Sequence, residues 1–338
     1  MAIVTRLLSA VGLSTGLLSA ADFPNAEIDN GQIRVKLYLP DAKTGFYRGT
    51  RFDWSGVIHS LTYRQHDYYG PWFQQSRPDV HDFVYEDAGV IAGPCSAVTG
   101  PVDEFAPLGW DEARPGATFV KIGVGALRKP ADGKYDNYRL YEIAGGGKWN
   151  IEKRRDAVEF IHELDDRSSG YGYVYRKAVR LVKDKPEMLL EYSLKNTGTR
   201  AIRTTVYNHN FLVLDKQAPG PGFTITVPFE IEKPRSLNPE LAEVRGNQIV
   251  YLKTLEGSDT VSMPVRGFGS DARDNEIRIE NSKLGAGMSV RTDRPLLREG
   301  LWSIRTVISM EPFIAIEIDP GHEFTWTSTY NYYTLPQQ

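Results

Sequence analysis

The feature that most limits the possible folds is a long series of short runs in which apolar and polar residues alternate. The series extends from residue 117 almost to the C-terminus, with turn signals between the runs and almost no helical periodicity. Side chains that alternate in this way lie on opposite faces of a half-buried strand. Many such strands joined by turns are typical of an antiparallel sandwich. The sequence therefore predicts an all-β fold of large antiparallel sheets.

Several strands can be placed from this pattern. Residues 32–40 and 57–63 alternate at period two, and residues 201–207 are dominated by β-branched side chains. Residues 149–165 and 171–183 carry charged side chains at alternate positions over a longer distance. We expect each of these five runs to form one strand.

A long region that follows the aromatic loop at residues 68–73 lacks such runs. It continues to about residue 116 and contains two turn-forming Gly-Pro pairs, at residues 93–94 and 100–101. Irregular segments of this length within a compact domain are usually either functional or disordered. The aromatic residues and the segment 100–105 favour an ordered rim over a binding site.

The N-terminus predicts export. Residues 1–6 carry one positive charge, residues 7–18 form an apolar run, and residues 19–21 are small enough for cleavage. We expect a signal peptide at residues 1–21 and a single domain at residues 22–338, which contain no repeat or low-complexity linker. Cys95 is the only cysteine, so no intrachain disulfide can form. These features favour a periplasmic or secreted bacterial protein, and a ragged cytosolic N-terminus is the open alternative.

Composition argues against several classes of partner. The net charge is −3 with both signs interspersed, which supplies no basic surface for nucleic acid. No later stretch approaches the ~18 apolar residues of a membrane span, so no anchor is expected once the signal is removed. The histidines lack zinc-ligand spacing, and no phosphate-binding loop is present, so no metal or cofactor is predicted. Aromatic residues make up 11% of the chain, as in proteins that stack sugars or build broad β-surfaces.

A histidine between two asparagines stands at the end of the run 201–207. The segment 207–212 is Tyr-Asn-His-Asn-Phe-Leu, and its asparagines could fix the orientation and tautomer of His209 by hydrogen bonding. Histidine has an unperturbed pKa of about 6.5, so it can act as a general acid or base near neutral pH. A buried structural histidine that is satisfied by neighbouring amides is the alternative.

A second motif lies near the C-terminus. Glu311 follows one strand-like run, and a further run at residues 313–318 leads to Asp-Pro-Gly at residues 319–321. Together with the Asn-His-Asn-Phe-Leu segment at residues 208–212, this order and spacing resembles the aldose 1-epimerase, or galactose mutarotase-like, superfamily. In that superfamily a comparable motif supplies a histidine, a late glutamate supplies a base, and a Pro-Gly pair precedes the last strand.

The resemblance implies a galactose mutarotase-like β-supersandwich, in which two large antiparallel sheets carry a sugar cleft. It assigns His209 as the acid that protonates the ring oxygen and Glu311 as the base that takes the anomeric hydroxyl proton. The two groups would stand on opposite sides of one hemiacetal, both with a pKa near the working pH. Arg51 falls near a family arginine that binds sugar hydroxyls, and Arg48 is the alternative for that role.

The sequence also departs from the family pattern. Family members carry a second histidine on a loop that here contains Glu104 and Trp110 but no histidine. Either Glu104 takes over a substrate contact, or the mutarotation chemistry is weakened or replaced. The aspartate with which family members bind hydroxyls has only positional candidates here, Asp215 and Asp271.

Further candidates for sugar contacts are Asn208, Trp110 and Trp72, the first through its amide and the others by stacking. Two main functions follow from these residues, and a lyase or hydrolase that uses the same cleft is a third, because one fold can host many chemistries. The first is an exported aldose 1-epimerase-like isomerase acting on a small sugar or glycan. The second is a non-catalytic carbohydrate-binding protein on the same fold, which the missing second histidine favours. The particular sugar and the oligomeric state have no signal in the sequence.

Overall fold

The computed structural model describes residues 23–87, 89–234 and 236–336, so the predicted signal peptide lies outside the described residues. Within them the chain forms 25 strands, β1 to β25, and two short 3-10 helices, Leu214–Lys216 and Ala272–Asp274. No helix in this part of the chain has the length and apolar character that crossing a bilayer demands.

The strands follow one another along the whole described chain. The first eight are β1 Asn25–Asp29, β2 Ile33–Tyr38, β3 Val57–Tyr63, β4 His66–Asp67, β5 Gln75–Ser76, β6 Phe83–Glu86, β7 Gly89–Ala92 and β8 Val102–Phe105. The next eight are β9 Thr118–Lys121, β10 Gly125–Arg128, β11 Ile143–Gly145, β12 Lys148–Lys153, β13 Ala157–Asp166, β14 Tyr171–Leu181, β15 Glu187–Asn196 and β16 Ile202–His209. The last nine are β17 Phe223–Thr226, β18 Ala242–Arg245, β19 Gln248–Tyr251, β20 Thr260–Val265, β21 Glu276–Asn281, β22 Ala286–Thr292, β23 Arg298–Ile304, β24 Val307–Ile318 and β25 Glu323–Thr334.

Two antiparallel sheets dominate the fold. The larger has ten strands in the order β12-β13-β14-β15-β25-β22-β21-β17-β19-β18, and the second has five in the order β20-β23-β24-β16-β8. Three smaller sheets contain β1 to β4, β9 to β11 and β5 to β7. Among the described strands, only β5 and β7 pair in parallel. The predicted all-β class with large antiparallel sheets is confirmed.

Alternation along the strands builds the core. On β15 the buried residues Met188, Leu190, Tyr192 and Leu194 are separated by partly exposed ones. Full burial of each large apolar side chain contributes about 1.5–3 kcal/mol relative to exposure. The five-stranded sheet completes the same core from β24 with Ile308, Met310, Ile314, Ile316 and Ile318.

The opposite face of the five-stranded sheet carries polar and aromatic side chains. Because side chains alternate across a strand, the odd-numbered residues of β16 and β24 share this face. The register places Tyr207 opposite Phe313, and Gly300 of β23 opposite Glu311. We call this the polar face; it carries Tyr207, His209, Arg298, Trp302, Ser309, Glu311 and Phe313.

One of the predicted strands is wrong. Residues 149–165 form the hairpin of β12 and β13, in which the N–H of Arg154 donates to the carbonyl of Ala157 at 2.7 Å. Five consecutive charged residues, 152–156, interrupt the alternation at this turn, and the prediction of one continuous strand overlooked them. The other four runs correspond to β2, β3, β14 and β16, and the last of these continues to His209.

Candidate active site

A cavity of about 580 Å³ opens on the polar face. Its floor comes from β16, β23 and β24, and its walls come from the loops that carry Arg51, Trp72 and Tyr138. The irregular region predicted as a rim contributes Asp82, Phe83 and Ser96 to the lining. Of the residues predicted for the site, the cavity lining contains His209, Glu311, Arg51 and Trp72.

His209 and Glu311 are in contact on the cavity floor. Nε2 of His209 is 3.2 Å from Oε1 of Glu311. His209 ends β16, and Glu311 lies on the neighbouring β24, so strand pairing brings together two residues that are far apart in the sequence. The expectation that they face each other across a hemiacetal is not met, because cross-strand neighbours on one sheet face lie side by side.

The imidazole of His209 is oriented by a serine rather than by the flanking asparagines. Oγ of Ser309 is 2.6 Å from Nδ1 of His209 and accepts the backbone N–H of Asn210 at 3.1 Å. The Asn210 amide donates instead to the carbonyl of Met310 at 2.8 Å. A hydroxyl can donate to Nδ1 or accept from it, so Ser309 satisfies this nitrogen in both ring tautomers.

An aromatic stack covers one face of the imidazole. The rings of His209 and Phe211 are parallel, with centroids 3.7 Å apart, and Trp72 continues the stack at 5.5 Å from Phe211. Trp302 stands perpendicular to His209 at 5.6 Å. Phe211 has a φ of 22°, which is costly for a side chain with a Cβ and is typical of functional sites. A Cβ on Gly100 would lie 2.6 Å from the His209 carbonyl oxygen, so this approach requires glycine.

Burial and charge set the protonation of the pair. Burial, assisted by the positive charge of Arg51, lowers the pKa of His209 well below its usual value. Burial raises the pKa of Glu311 to about 7, although Arg51 opposes this shift. Because each group favours its neutral form, the pair shares one dissociable proton, which is lost near pH 7.

Glu104 and Tyr207 hold the Arg51 side chain in place. Its Nε donates to Oε2 of Glu104 at 2.7 Å, and the Tyr207 hydroxyl donates to the same oxygen at 2.6 Å. Although burial opposes ionisation, Arg51 and Lys121 hold the pKa of Glu104 below its usual value. Glu104 therefore lies beneath the cavity and supports Arg51, and it is not among the residues that line the cavity. Of the wall residues, Asp82 has its Oδ1 4.0 Å from the Arg51 guanidinium.

Asn208 faces the core and not the cavity. Its Nδ2 donates to Asp103 at 2.6 Å, and Asp103 is also 2.6 Å from the ammonium of Lys177. Lys177 is fully buried and lies 3.7 Å from Asp53. Burial raises the pKa of Asp53 to about 6. We call Asp53, Asp103, Lys177 and Asn208 the buried polar cluster. The placement of Asn208 in this cluster removes that residue from the candidate site.

Other candidates also lie elsewhere. Arg48 is exposed and donates to the carbonyl of Lys43 at 2.7 Å. Trp110 lines a different cavity, together with Tyr171 and Arg200. Asp215 and Asp271 are outside the lining as well: Asp215 contacts His66 at 2.7 Å, and Asp271 accepts the backbone N–H of Arg273.

Sequence reasoning missed several residues of the site. Ser309 could have been found from strand periodicity, because it is two residues before Glu311 on β24. Arg298 and Trp302 lie on β23, where no site residue was predicted from which to count. Asp82 and Tyr138 come from irregular segments, where no period predicts the direction of a side chain. No cluster of three or more His, Cys, Asp or Glu side chains suited to a metal ion occurs in the described part of the chain.

Solved structures resemble this fold over almost its whole length, whereas no family model and no curated protein matches the sequence. A protein from Synechocystis sp. PCC 6803 is 10% identical, covers 97% of this chain and 100% of its own, and has a TM-score of 0.56. The GalM/aldose epimerase homologue from C. elegans is 12% identical over 92% of this chain and 99% of its own, with a TM-score of 0.52. A galactose mutarotase-like protein from Lactobacillus casei is 11% identical over 91% of this chain and 100% of its own, also with a TM-score of 0.52. The chain therefore has the galactose mutarotase-like fold.

Proposed function

We propose that the protein is an aldose 1-epimerase-like enzyme that interconverts the α and β anomers of a sugar. The observation that carries this proposal is the 3.2 Å contact between Nε2 of His209 and the carboxyl of Glu311 on the cavity floor. A carboxyl with a pKa of about 7 beside an imidazole is suited to proton transfer at neutral pH.

The reaction needs one proton to leave the anomeric hydroxyl and another to reach the ring oxygen. Both oxygens are bonded to the same carbon, so a donor and an acceptor that lie side by side can serve them together. A bound sugar would replace the contact between His209 and Glu311 with one hydrogen bond from each. The bond from C1 to the ring oxygen then breaks, the C1–C2 bond rotates, and closure on the other face returns both protons.

The assignment of His209 as acid and Glu311 as base rests on the resemblance. In the resting pair the shared proton belongs on Glu311, because burial disfavours the imidazolium and the carboxylate alike. Ring closure is the reverse of ring opening, so each group donates in one direction and accepts in the other. The proposal therefore requires one shared proton and does not depend on which group holds it at rest.

Arg51 and Trp302 are the side chains best placed to hold the sugar. Arg51 is fixed by Glu104 and Tyr207, so it loses little freedom when it donates to a hydroxyl. The Trp302 ring borders the cavity beside His209 and offers an apolar surface to one face of a pyranose.

A carbohydrate-binding protein without catalysis is the second candidate. In the described lining of the cavity, His209 is the only histidine, so the second histidine of the family has no equivalent there. Asp82 and Tyr138 form the wall instead.

Polarimetry of freshly dissolved α-glucose and α-galactose tests the proposal. We expect wild type to accelerate mutarotation, and His209→Ala and Glu311→Gln each to lose about 10²–10⁴-fold, the usual contribution of a general acid or base. His66→Ala is the matched control, because His66 also contacts a carboxylate, Asp215 at 2.7 Å, but does not line the cavity.

A loss of mutarotation activity in His209→Ala and Glu311→Gln, but not in His66→Ala, supports the acid–base pair. If the folded wild-type protein binds sugars in a glycan screen but accelerates the mutarotation of neither glucose nor galactose, the result supports a carbohydrate-binding protein without catalysis. We also propose export to the periplasm or exterior. Its test is the intact mass of protein produced in a bacterial host, which should correspond to a chain that begins at Asp22.

A further inference from the structure

We infer that the cavity is built for a sugar that carries a carboxylate, and that Arg298 binds this group. The inference rests on the proposed function, because it names the substrate class of the same cavity. It starts from the distribution of charge around His209 and Glu311.

Arg298 is an exposed cation of the lining whose charge also acts on Glu311. Its guanidinium stacks on the ring of Phe313 at 3.7 Å from the ring centroid. Within the described part of the chain it forms no ion pair and no side-chain hydrogen bond. Arg51 differs, because Glu104 balances its charge through the bond to Nε, and a second nitrogen donates to the Tyr207 hydroxyl. Arg298 is therefore the lining cation that remains available to an anion.

The surface between Arg298 and Trp302 has room for a sugar ring. Arg298, Gly300 and Trp302 are alternate residues of β23, so they face the cavity in turn. Gly300 is opposite Glu311, and a Cβ on it would lie 3.7 Å from Oε2 of that carboxyl. Arg298 and Trp302 are four residues apart, which is about 13 Å along the strand, so the gap at Gly300 separates the guanidinium from the indole. A pyranose above Gly300 would thus contact the reacting pair between a cation and an aromatic ring.

The chemistry of a uronic acid matches this arrangement. Its carboxylate is attached to C5, which is bonded to the ring oxygen, and the ring oxygen is bonded to the anomeric carbon. The anion is thus close to the atom that must be protonated. Arg298 is two residues before Gly300 on the same face of β23, so its long side chain can reach a carboxylate of a sugar bound above Gly300. A planar guanidinium binds a carboxylate through two parallel N–H donors.

Charge balance favours a carboxylate over a phosphate. Arg298 supplies one positive charge, which a single carboxylate neutralises. A phosphate monoester carries about −1.5 to −2 at pH 7. Its excess charge would lie near Asp82 and Glu311, where burial already disfavours ionised carboxyls.

The test measures mutarotation of α-galactose, α-galacturonic acid and galactose 6-phosphate, each relative to its spontaneous rate. The readout is the ratio of kcat/KM for the uronate to that for the hexose. We expect wild type to prefer the uronate on the order of 10- to 100-fold, as for a charge-assisted hydrogen bond. Arg298→Gln should lower that ratio to about one. Arg291→Gln, an exposed arginine on β22 of the other sheet, should leave the ratio at its wild-type value.

The outcomes separate this inference from the proposed function. Equal acceleration of hexose and uronate, with a ratio that Arg298→Gln does not change, overturns the inference and leaves the epimerase intact. A preference for the phosphate that disappears in Arg298→Gln overturns the carboxylate assignment. If no sugar is accelerated, calorimetry decides: galacturonate binding that requires Arg298 supports the inference although the epimerase fails, and binding no tighter than galactose overturns it.

Discussion

Glu299 lets the pH dependence of stability be predicted in detail. It lies on β23, only 4% exposed, and among the described residues neither carboxyl oxygen has a hydrogen-bond partner. The register places it opposite Val265 and Pro312, on the face away from Glu311. Burial raises its pKa from 4.5 to about 8. The native protein therefore holds this carboxyl protonated at neutral pH.

The sign of the effect follows from proton binding. Between about pH 4.5 and pH 8 the native state holds a proton on Glu299 that the unfolded state has lost. The free energy of unfolding therefore falls as pH rises through this window, by up to about 1.4 kcal/mol per pH unit. Across the window the loss is about 5 kcal/mol, whereas below pH 4.5 the contribution is fully present.

Glu299→Met removes the titration at nearly constant volume. Urea unfolding from pH 5 to pH 9 should show the variant gaining stability over wild type as pH rises, by about 5 kcal/mol at the alkaline end. Other groups, including Glu311, titrate in both proteins and cancel in the difference. Glu317→Met, which replaces an exposed glutamate on β24, is the matched control for the substitution itself. A pH-independent difference for Glu299→Met would refute the assignment, because it would mean that this carboxyl is solvated in the folded protein.

Three further predictions concern the site and its support. The epimerase rate proposed above should fall above about pH 7, because the pair of His209 and Glu311 loses its shared proton. It should fall again well below pH 6.5, because the pair then takes up a second proton on His209. Polarimetry from pH 5 to pH 9 should show that Glu311→Gln abolishes the fall in rate at alkaline pH. Ser309→Ala should lower kcat about tenfold with little change in KM, whereas Ser309→Thr should retain kcat, because only the first leaves Nδ1 of His209 without a partner. Lys177→Met should destabilise the fold by about 3–5 kcal/mol in urea, because Asp103 is left charged and buried, and a loss below 1 kcal/mol would show that the cluster is hydrated.

The sequence was sufficient to predict the fold class and to select His209 and Glu311 as the candidate pair, for different reasons. Alternation reports which side of a strand is buried, and it recurs in every large strand. The contact between His209 and Glu311 cannot be seen from periodicity; it came from the order of two short motifs that resemble a family. The β12–β13 hairpin could also have been recognised, because five consecutive charged residues, 152–156, interrupt the alternation where the chain turns.

Two predicted site residues could have been judged better from strand geometry alone. Asn208 is adjacent to His209 on β16, so in an extended strand its side chain must take the opposite face. Ser309 is two residues before Glu311 on β24, so it must share the face of that carboxyl. By contrast, the choice between Arg48 and Arg51 depends on a loop, and only the positions of Glu104 and Tyr207 decide it.

The site and the buried polar cluster occupy opposite faces of the same strands, which links the register of the sheet to function. Tyr207 and His209 point to the cavity, whereas Asn208 points to Asp103 and Lys177. A slip of one residue would place an asparagine in the cavity and bury the histidine against a lysine. Such a slip would also remove the hydrogen bond from Asn208 to the buried Asp103 carboxylate, and a hydrogen bond to a charged group contributes about 1.5–3 kcal/mol. We therefore expect the buried polar cluster to specify the pairing that brings His209 beside Glu311. On this argument Lys177→Met should reduce epimerase activity in the folded fraction as well as stability.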